Sequence, residues 1–341
     1  MHKEKTTGLF LGKFAPLHKG HQHVIETALD ECDEVIVLIY ETSVTNIPLS
    51  VRAGWIENLY PTVRVIKVWD SMEELPHAHP HDRTYEISEE ECAKKILGGT
   101  KITHFYSSEY YGEHMSAAFG AIDRRIDMNR SAVPVSATQI RDNPLACRMS
   151  GFLDNAVYES MIAKIVFLGA ESTGKSTLTK AVAEEFRTEY VEEYGREYWE
   201  RHQIGGKLTP HDLTELCKGH LRDENRKVLL ANKYLFVDTN AITTYIYAQE
   251  YHGGANDEVA AFARACHLRY DLTFVCGTDC PYDDTPDRLG LAKRREFHAR
   301  TLDCLKTMKI PYVLLEGTLE ERIAQVKEVL KTFVKYGNCN K

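Results

Sequence analysis

Two short stretches of the sequence combine glycine with side chains that can neutralise phosphate oxygens. The first, GKFAPLHKGH over 12–21, places His18 and His21 three residues apart with Gly20 between them. The second, GAESTGKS over 169–176, has the spacing GxxxxGK[ST]. Imidazoles, a lysine ammonium and backbone N–H groups that can approach closely are the usual means of binding phosphate. Both stretches are therefore candidate phosphate sites.

The histidine pair suits an in-line displacement at a nucleotide's α-phosphate. Two imidazoles and nearby N–H groups would hold the phosphate while pyrophosphate leaves, and no covalent nucleophile is needed. Gly20 lets the backbone come close, and His21 lies at the expected start of a helix, whose dipole favours an anion. Taken alone, the pair also allows two ordinary core or surface histidines, or a metal site that lacks a third ligand.

A second segment, SATQIR over 136–141, also begins a helix. Ser136 and Thr138 offer hydroxyls and Arg141 offers a guanidinium, which are the groups needed to grip the outer phosphates of ATP. Transfer of a nucleotidyl group needs such a basic clamp. We therefore expect this segment and the histidine pair to form one site.

The GxxxxGKS stretch predicts a P-loop. Its glycines would let the loop wrap its N–H groups around a phosphate, Lys175 would reach the β- and γ-phosphates, and the Ser176 hydroxyl would coordinate Mg²⁺. The apolar run KIVFL precedes the loop and an amphipathic pattern follows it. A Gly-rich turn with an exposed lysine is the alternative. The expected nucleotide contacts are Gly169, Glu171, Ser172, Thr173, Gly174, Lys175, Ser176 and Thr177.

Three further segments favour a kinase over other P-loop proteins. The run YLFVD ends in Asp238, the Walker-B-like place for a carboxylate near Mg²⁺, although a helix cap would also explain it. In EEYGREY, Glu193 would be the base for an acceptor hydroxyl and Arg196 a phosphate clamp; both would otherwise be surface charges. The segment over 279–297 is acidic and then basic, and it would be a lid on ATP phosphates or a solvated charge run. Its cations are Arg288, Lys293, Arg294 and Arg295.

The elements that must position these residues alternate between strand and helix patterns. In the first half, strands are expected over 8–12, 34–40, 63–68 and 104–108, and helices over 21–32, 49–60 (capped by Ser50), 88–97 and from 136. In the second half, strands are expected at KIVFL and over 234–238, 272–276 and 312–316. Two successive β-α-β series predict two α/β units with mainly parallel sheets.

Composition narrows the class of protein. The chain has 341 residues, 43% hydrophobic and 27% charged, which suits two globular domains. Its net charge of -8 argues against a duplex nucleic-acid binder. The nine cysteines show no CxxC pair, as in reduced cytosolic proteins. No signal peptide and no run of ~18 to 20 apolar residues is present. We therefore expect a soluble cytoplasmic protein without membrane insertion.

Taken together, the motifs carry a family resemblance. GKFxPLHxGH near the start, with SATQIR at 136–141, resembles the nucleotidylyltransferase superfamily, and more narrowly the NadR-type nicotinamide mononucleotide adenylyltransferases. The P-loop half, with EYGRE, VDT and PYDD…R, resembles the ribosylnicotinamide kinase domain fused behind the transferase in that family. The resemblance covers nearly the whole chain in the same order. It implies a Rossmann-like nucleotidylyltransferase domain over 1–155 and a P-loop kinase domain over 160–341.

The resemblance also implies roles for individual residues. His18 and His21 would stabilise the transition state at ATP's α-phosphate, and the SATQIR side chains would hold the β- and γ-phosphates. Lys175, Ser176 and Asp238 would arrange MgATP in the second half. Further contacts to nucleotide or substrate are expected at Gly12, Lys13, Phe14, Lys19 and Tyr282, the last stacking on a nicotinamide ring.

The implied activity is a two-step salvage of NAD. The kinase would phosphorylate the 5′-hydroxyl of nicotinamide riboside, and the first half would adenylylate the resulting mononucleotide to NAD with release of pyrophosphate. ATP and Mg²⁺ are the implied cofactors, nucleic acid is no partner, and functional coupling to a vitamin transporter is open, as is the oligomeric state. Two other functions also remain open: a nucleotidylyltransferase and kinase for different small substrates, and a nucleotide-sensing regulator.

Two departures from the family bear on these expectations. Some members carry a helix-turn-helix repressor domain ahead of the transferase, whereas here the first strand is expected seven residues from the start. We therefore expect neither that domain nor DNA binding. The second departure is Asn240 in VDTN, where a second carboxylate is expected. Whether the residue at position 240 takes part in binding metal or substrate is therefore open.

Overall fold

Continuous apolar runs such as EVIVLIY and AKIVFL become interior strands of two parallel sheets. Helices cover both faces of such strands, which is why these runs lack a polar alternation. The computed structural model describes residues 4–69, 83–280 and 291–337. The chain divides into two units, one containing the residues up to Tyr158 and from Tyr336, the other Glu159–Lys335.

The first unit is built on five parallel strands in the order β3-β2-β1-β4-β5. These strands are β1 (Thr7–Gly12), β2 (Glu34–Tyr40), β3 (Arg64–Val68), β4 (His104–Ser107) and β5 (Ile122–Arg125). The helices are α1 (Lys19–Glu31), α2 (Leu49–Leu59), α3 (Arg83–Leu97), α4 (Gly112–Phe119), α5 (Ala137–Asp142), α6 (Pro144–Met149) and α7 (Asn155–Met161), which spans the boundary between the units.

The second unit is built on five parallel strands in the order β10-β9-β6-β8-β7. These strands are β6 (Ala163–Leu168), β7 (Tyr190–Val191), β8 (Tyr234–Asp238), β9 (Leu272–Cys276) and β10 (Val313–Leu315). The helices are α8 (Lys175–Phe186), α9 (Tyr194–His202), α10 (Pro210–Lys227), α11 (Ala241–His252), α12 (Asp257–Arg269), α13 (Leu291–Thr307) and α14 (Leu319–Thr332).

Each sheet has its own buried core. In the first unit, Leu9, Ile36 and Phe105 from adjacent strands are fully buried in one cluster. In the second unit, Phe167 stacks on Phe274 with ring centroids 5.4 Å apart. Each sheet is therefore stabilised by apolar packing within its own unit.

The strand orders decide where a ligand can bind. In each sheet the first strand, β1 or β6, is central, and the strands that follow it in the chain lie on both of its sides. The crevice at the carboxyl end of such a strand is where open α/β sheets bind ligands. Both phosphate motifs directly follow these two strands.

The predicted fold class, two α/β units with parallel sheets, is confirmed, with local corrections. The sequence pattern missed β5, because this edge strand is short and its side chains are mostly charged. Helix α1 begins at Lys19, earlier than His21, because His18 caps it. The expectation that Ser50 caps α2 is wrong: the helix begins at Leu49, and its N-cap residue Pro48 offers no side-chain hydrogen bond.

Candidate functional site

The two histidines of the first unit lie together at the start of α1. His18 is the N-cap residue, and its Nδ1 accepts a hydrogen bond from the Gly20 N–H at 3.1 Å. Nδ1 of His21 in turn accepts from the His18 N–H at 3.4 Å. The two rings are stacked with centroids 3.7 Å apart. A capping box made of histidines therefore holds both imidazoles in one place.

Both imidazoles are neutral at pH 7. Burial, and then the positive charge of Arg130, lower the pKa of His18 to about 4. Burial also brings the pKa of His21 well below its usual value, with His18 and Arg130 adding to the effect. Because Nδ1 of each ring accepts a hydrogen bond, the single proton of each ring is on Nε2. Two N–H donors are thus available for phosphate oxygens.

Glycine and phenylalanine fix the positions of these rings. A Cβ on Gly20 would lie 3.0 Å from the His18 imidazole, so a larger residue would displace the ring. Phe14, which is buried, packs edge-on against His21 with centroids 5.0 Å apart. Its φ of 46° lies in the left-handed region, which is uncommon for a residue other than glycine. The loop around the histidines is therefore determined by packing as well as by capping.

Arg130 is a residue of this site that the sequence motifs did not include. Its positive charge lowers the pKa of both His18 and His21, which places Arg130 within electrostatic reach of the histidine pair. Its side chain is exposed and its φ is 53°. The signal in the sequence was weak, since DMNRSAVPVS looks like a polar connection. The clustered positive charge suits a polyanionic ligand.

The SATQIR segment does meet the histidine loop. Nη1 of Arg141 donates to the Ala15 carbonyl oxygen at 2.7 Å, and its Nη2 donates to Thr138 Oγ1 at 3.1 Å. Ser136 caps α5, its Oγ accepting from the Gln139 N–H. The structure thus brings Arg141 and Thr138 beside the loop that bears the histidines, as the sequence reasoning expected.

The remaining predicted residues of this unit surround the same loop. The Lys13 carbonyl oxygen accepts a hydrogen bond of 2.5 Å from Nη1 of Arg52, a fully buried side chain. Lys13 and Lys19 are partly exposed, as is Gly12, whose Cβ position would lie 3.1 Å from the Phe14 ring. Arg52 was not predicted. Its contact with the loop arises only when α2 packs there, so the sequence alone does not indicate it.

In the second unit, the P-loop leaves the central strand and enters α8. Gly169 has φ 142° and Gly174 φ 78°, values that favour glycine. A Cβ on Gly169 would also lie 2.8 Å from the Cys276 carbonyl oxygen. Lys175 folds back over the loop, and its Nζ donates to the Ala170 carbonyl oxygen at 2.9 Å. Ser176 and Thr177 are exposed in the first turn of α8.

Asp238 lies at the carboxyl end of β8, next to the central strand. It pairs with Phe167 across the sheet and is 1% exposed. Its Oδ1 has no hydrogen-bond partner among the described residues. A buried, unpartnered carboxylate oxygen beside a P-loop fits an Mg²⁺ ligand or a water that binds Mg²⁺. The helix cap that follows is Asn240, whose Oδ1 accepts from the Ile242 N–H at 3.0 Å.

Carboxylates and tyrosines gather on the β8–β7 side of the loop. Tyr247 donates to Glu171 Oε1 at 2.7 Å, and burial raises the pKa of Tyr247 well above its usual value, with Glu171 and Glu193 adding to the effect. Glu193 is the N-cap residue of α9, but its side chain makes no capping bond. Arg196, predicted as a clamp, is exposed. Tyr247 was not predicted.

The structure describes two parts of the 279–297 segment, 279–280 and 291–297. Arg294 is buried, and its guanidinium donates to the carbonyl oxygens of Ser172 and Cys280 at 3.1 Å. Lys293 and Arg295 are exposed on α13. The predicted contacts Tyr282 and Arg288 lie outside the described residues.

Neither a preformed metal cluster nor a membrane span is found in the part of the chain that the structure describes. No three histidine, cysteine or acidic side chains there converge as a metal site. No helix there is long and apolar enough to cross a bilayer.

Comparison with known families agrees with the division of the chain. A cytidylyltransferase-like family matches residues 9–143. A family described as an AAA domain matches residues 164–322. The first match contains both the histidine pair and Arg141, and the second begins in β6 and contains the P-loop.

Two curated relatives match both halves in one alignment. The trifunctional NAD biosynthesis/regulator protein NadR of Escherichia coli (strain K12) is 28% identical over 336 residues, covering 92% of this chain and 80% of that protein. The protein of the same name from Salmonella typhimurium (strain LT2) is 28% identical over 352 residues, covering 96% and 83%.

Solved structures agree on the fold. A NadR protein in complex with NAD and AMP-PNP matches with a TM-score of 0.57 at 23% identity, covering 97% of both chains. A NadR protein in complex with NR matches with a TM-score of 0.55 at 24% identity, covering 96% of this chain and 95% of that one. Both domain families are thus matched in order, and the similarity to the two curated NadR proteins extends over nearly the whole chain.

Proposed function

We propose that this chain is a bifunctional enzyme of NAD salvage. The second unit phosphorylates nicotinamide riboside with ATP to nicotinamide mononucleotide. The first unit transfers the adenylyl group of a second ATP to that mononucleotide, giving NAD and pyrophosphate. The observation that carries the proposal is the pair of phosphate loops, one imidazole-based and one of the P-loop type, at the central strands of two sheets in one chain.

In the first unit, the proposed chemistry needs no covalent intermediate. The mononucleotide's phosphate oxygen attacks ATP's α-phosphate, and the bond to the pyrophosphate oxygen breaks. The Nε2–H groups of His18 and His21 stabilise the charge that develops. Lys13, Lys19 and the SATQIR side chains hold the outer phosphates, with Gly12 and Phe14 shaping the loop.

In the second unit, Lys175 and the loop N–H groups hold ATP's phosphates. The donor set fits Mg²⁺, because the Ser176 hydroxyl and the unpartnered Asp238 oxygen are hard oxygen ligands. When bound, Mg²⁺ would neutralise charge on the transferred phosphoryl group. Glu193 is the proposed base for the riboside's 5′-hydroxyl, and Arg196 and Arg288 are proposed clamps for the transferred phosphate.

The acceptor side of the P-loop favours a cationic substrate. Glu171 and Glu193 follow β6 and β7, on the same edge of the sheet as Asp238, and Tyr247 lies beside Glu171. Nicotinamide riboside carries a positive pyridinium ring, which carboxylates and aromatic rings attract. Tyr282 is the proposed stacking partner of that ring.

The proposed setting is the cytoplasm. The cysteines of the described residues are free thiols, which fits a reducing compartment. Phosphorylation of the riboside as it enters the cell would couple the enzyme functionally to a vitamin transporter.

The test is to incubate the chain with MgATP and nicotinamide riboside and to resolve the products over time. Mononucleotide first and NAD later is the expected result. Mononucleotide without NAD would contradict the proposed acceptor of the first unit, and other phosphorylated acceptors would then be tried. NAD from supplied mononucleotide but none from the riboside would contradict the kinase assignment and direct attention to Asn240. Binding of ATP without any turnover would favour a nucleotide sensor.

A further inference from the structure

A P-loop has an outer face as well as the inner face that meets phosphate. When its N–H groups point inward, its carbonyl oxygens point outward and need donors. A trans peptide plane carries its C=O and the next residue's N–H in opposite directions. A side chain that fixes one carbonyl oxygen therefore also aims the following N–H.

Three carbonyl oxygens of this loop have such donors. The Ala170 oxygen accepts from Lys175 Nζ and from Thr173 Oγ1 at 2.7 Å, so it is held from within the motif. The Ser172 oxygen accepts from Arg294, and the Thr173 oxygen accepts from Nη1 of Arg322 at 2.6 Å. These two arginines come from α13 and α14, more than a hundred residues later in the chain.

Arg322 is fixed on its other side as well. It is 3% exposed, and its Nη2 donates to Asp279 Oδ1 at 2.7 Å and to the Gly277 carbonyl oxygen at 3.4 Å. The second oxygen of Asp279 accepts from the Gly317 N–H at 2.6 Å. The guanidinium therefore joins the P-loop to the segment after β9 and to the start of α14.

A role in stability alone would need only the partly buried ion pair with Asp279. The bond to Thr173 adds something specific, because the peptide plane it fixes ends in the Gly174 N–H, the last N–H before α8. Gly174 is also close to Arg322: a Cβ there would lie 3.8 Å from Nη1. No other side chain donates to the Thr173 oxygen in the described residues.

We propose that Arg322 is a positioning residue of the phosphorylating site: it holds the Thr173 carbonyl oxygen so that the Gly174 N–H faces the phosphates of bound ATP, and Asp279 holds Arg322 in that orientation. Arg294 supports the preceding peptide plane in the same way. Arg322 acts from outside the loop and does not touch the nucleotide. The kinetic test rests on the proposed kinase activity.

The test compares Arg322→Met and Arg322→Lys with Lys327→Met in the full chain. Lys327 lies on the same helix in an exposed ion pair with Glu185, away from the loop. We expect Arg322→Met to raise the KM for ATP in the kinase reaction about tenfold and to lower kcat, because misplaced donors are costly. Arg322→Lys should recover part of the loss, and Lys327→Met should change KM by less than about twofold.

A merely structural role predicts a different pattern. It would lower the active fraction, and hence kcat, with an unchanged KM for ATP, and that outcome would overturn the proposal. Adenylylation of supplied mononucleotide by the same samples checks that the first unit is intact. Asp279→Asn keeps the size of the side chain but weakens the hold on Arg322, so it should raise KM in the same direction by a smaller factor.

Nucleotide binding separates this proposal from the proposed function. If the wild-type chain does not phosphorylate the riboside, a fluorescent ADP analogue can be titrated instead. The part of the nucleotide binding that Lys175→Met abolishes is taken as binding at the P-loop, and it is called the P-loop share. Arg322→Met should weaken that share about tenfold. An unchanged affinity would overturn the proposal whatever the enzyme's substrate.

Discussion

His18 and His21 bind protons differently in the folded and unfolded chain. Burial holds the pKa of His18 at about 4 in the folded state, against roughly 6.5 when exposed. Between these values the unfolded state binds a proton that the folded state does not. The free energy of unfolding therefore falls as pH drops from about 6.5 towards 4 and is constant above that window, as far as His18 is concerned.

The first prediction follows from this linkage. His18→Asn should flatten the pH dependence of the first unit's unfolding free energy between pH 4.5 and 6.5, by up to roughly 3 kcal/mol across the window. Urea titrations followed by tryptophan fluorescence measure it in a Trp199→Phe background, where the remaining tryptophans, Trp55 and Trp69, both belong to the first unit. Equal slopes for the variant and its parent would contradict the assignment.

Arg130 carries the second prediction. Arg130→Gln removes the positive charge that lowers the pKa of both histidines, so we expect weaker ATP binding for adenylyl transfer and a higher pKa of His18. A charge-assisted contact to phosphate corresponds to a rise in KM for ATP of about tenfold or more. Steady-state kinetics with the mononucleotide measure it. Arg64→Gln, an exposed arginine of β3, is the matched control, and an equal effect of both variants would show a general charge effect.

These residues also show which parts of the candidate sites can be predicted from the sequence. The places of His18, His21 and Lys175 at the starts of α1 and α8 follow from contiguous motifs, and their roles in phosphate binding stay predictions. Arg130 and Arg322 were not predicted, because their positions depend on which strands become neighbours in the sheet. Buried arginines that bind carbonyl oxygens leave no local pattern.

At the scale of elements, the loop after β5 positions Arg130. Asp127 stabilises this loop, because its carboxylate accepts hydrogen bonds from the N–H groups of Ser131, Ala132 and Val133 at 2.7 to 3.0 Å. Hydrogen bonds from the Ala132 and Val133 backbone, chiefly, lower the pKa of Asp127 to about 2. One ionised side chain thus shapes a loop that has no regular secondary structure.

The third prediction concerns this loop. Asp127→Ala should lower kcat/KM for ATP in adenylyl transfer by about tenfold, because the loop that carries Arg130 loses its hydrogen-bond acceptor. Asp127→Asn should fall between the variant and the wild type, since an amide oxygen still accepts. Asp30→Ala, at an exposed position of α1, is the control. Kinase activity unchanged in all three variants would locate the effect in the first unit.

Prediction from sequence worked best for central elements. Interior strands such as β2 and β8 are continuous apolar runs, so their bounds were predicted accurately. Helix starts were less certain, because N-cap residues such as His18 and Pro48 do not follow the common preference for serine, threonine, asparagine or aspartate. The edge strand β5 was missed because charged side chains cover it.

At the scale of the whole molecule, each unit has its own sheet, core and phosphate loop. The fourth prediction is that the two activities can be removed separately. Lys175→Met should abolish phosphorylation of the riboside and leave adenylylation within about twofold of wild type, whereas His21→Ala should do the opposite. Product analysis with each substrate measures both. Mixing the two variants should restore NAD formation from the riboside, and failure to do so would show that the mononucleotide does not reach a second molecule.

The late position of Arg322 has a consequence for the order in which the activities appear on the ribosome. Every side chain assigned to adenylyl transfer has been translated once Arg141 is made, and the strands of the first sheet precede it. The P-loop is translated soon afterwards, but its Thr173 carbonyl oxygen lacks its side-chain donor until Arg322 in α14 emerges. At about 5 to 20 residues per second this is a delay of roughly ten seconds or more. A polypeptide interrupted in that interval would carry every side chain assigned to adenylyl transfer but not the donor that holds the Thr173 carbonyl oxygen.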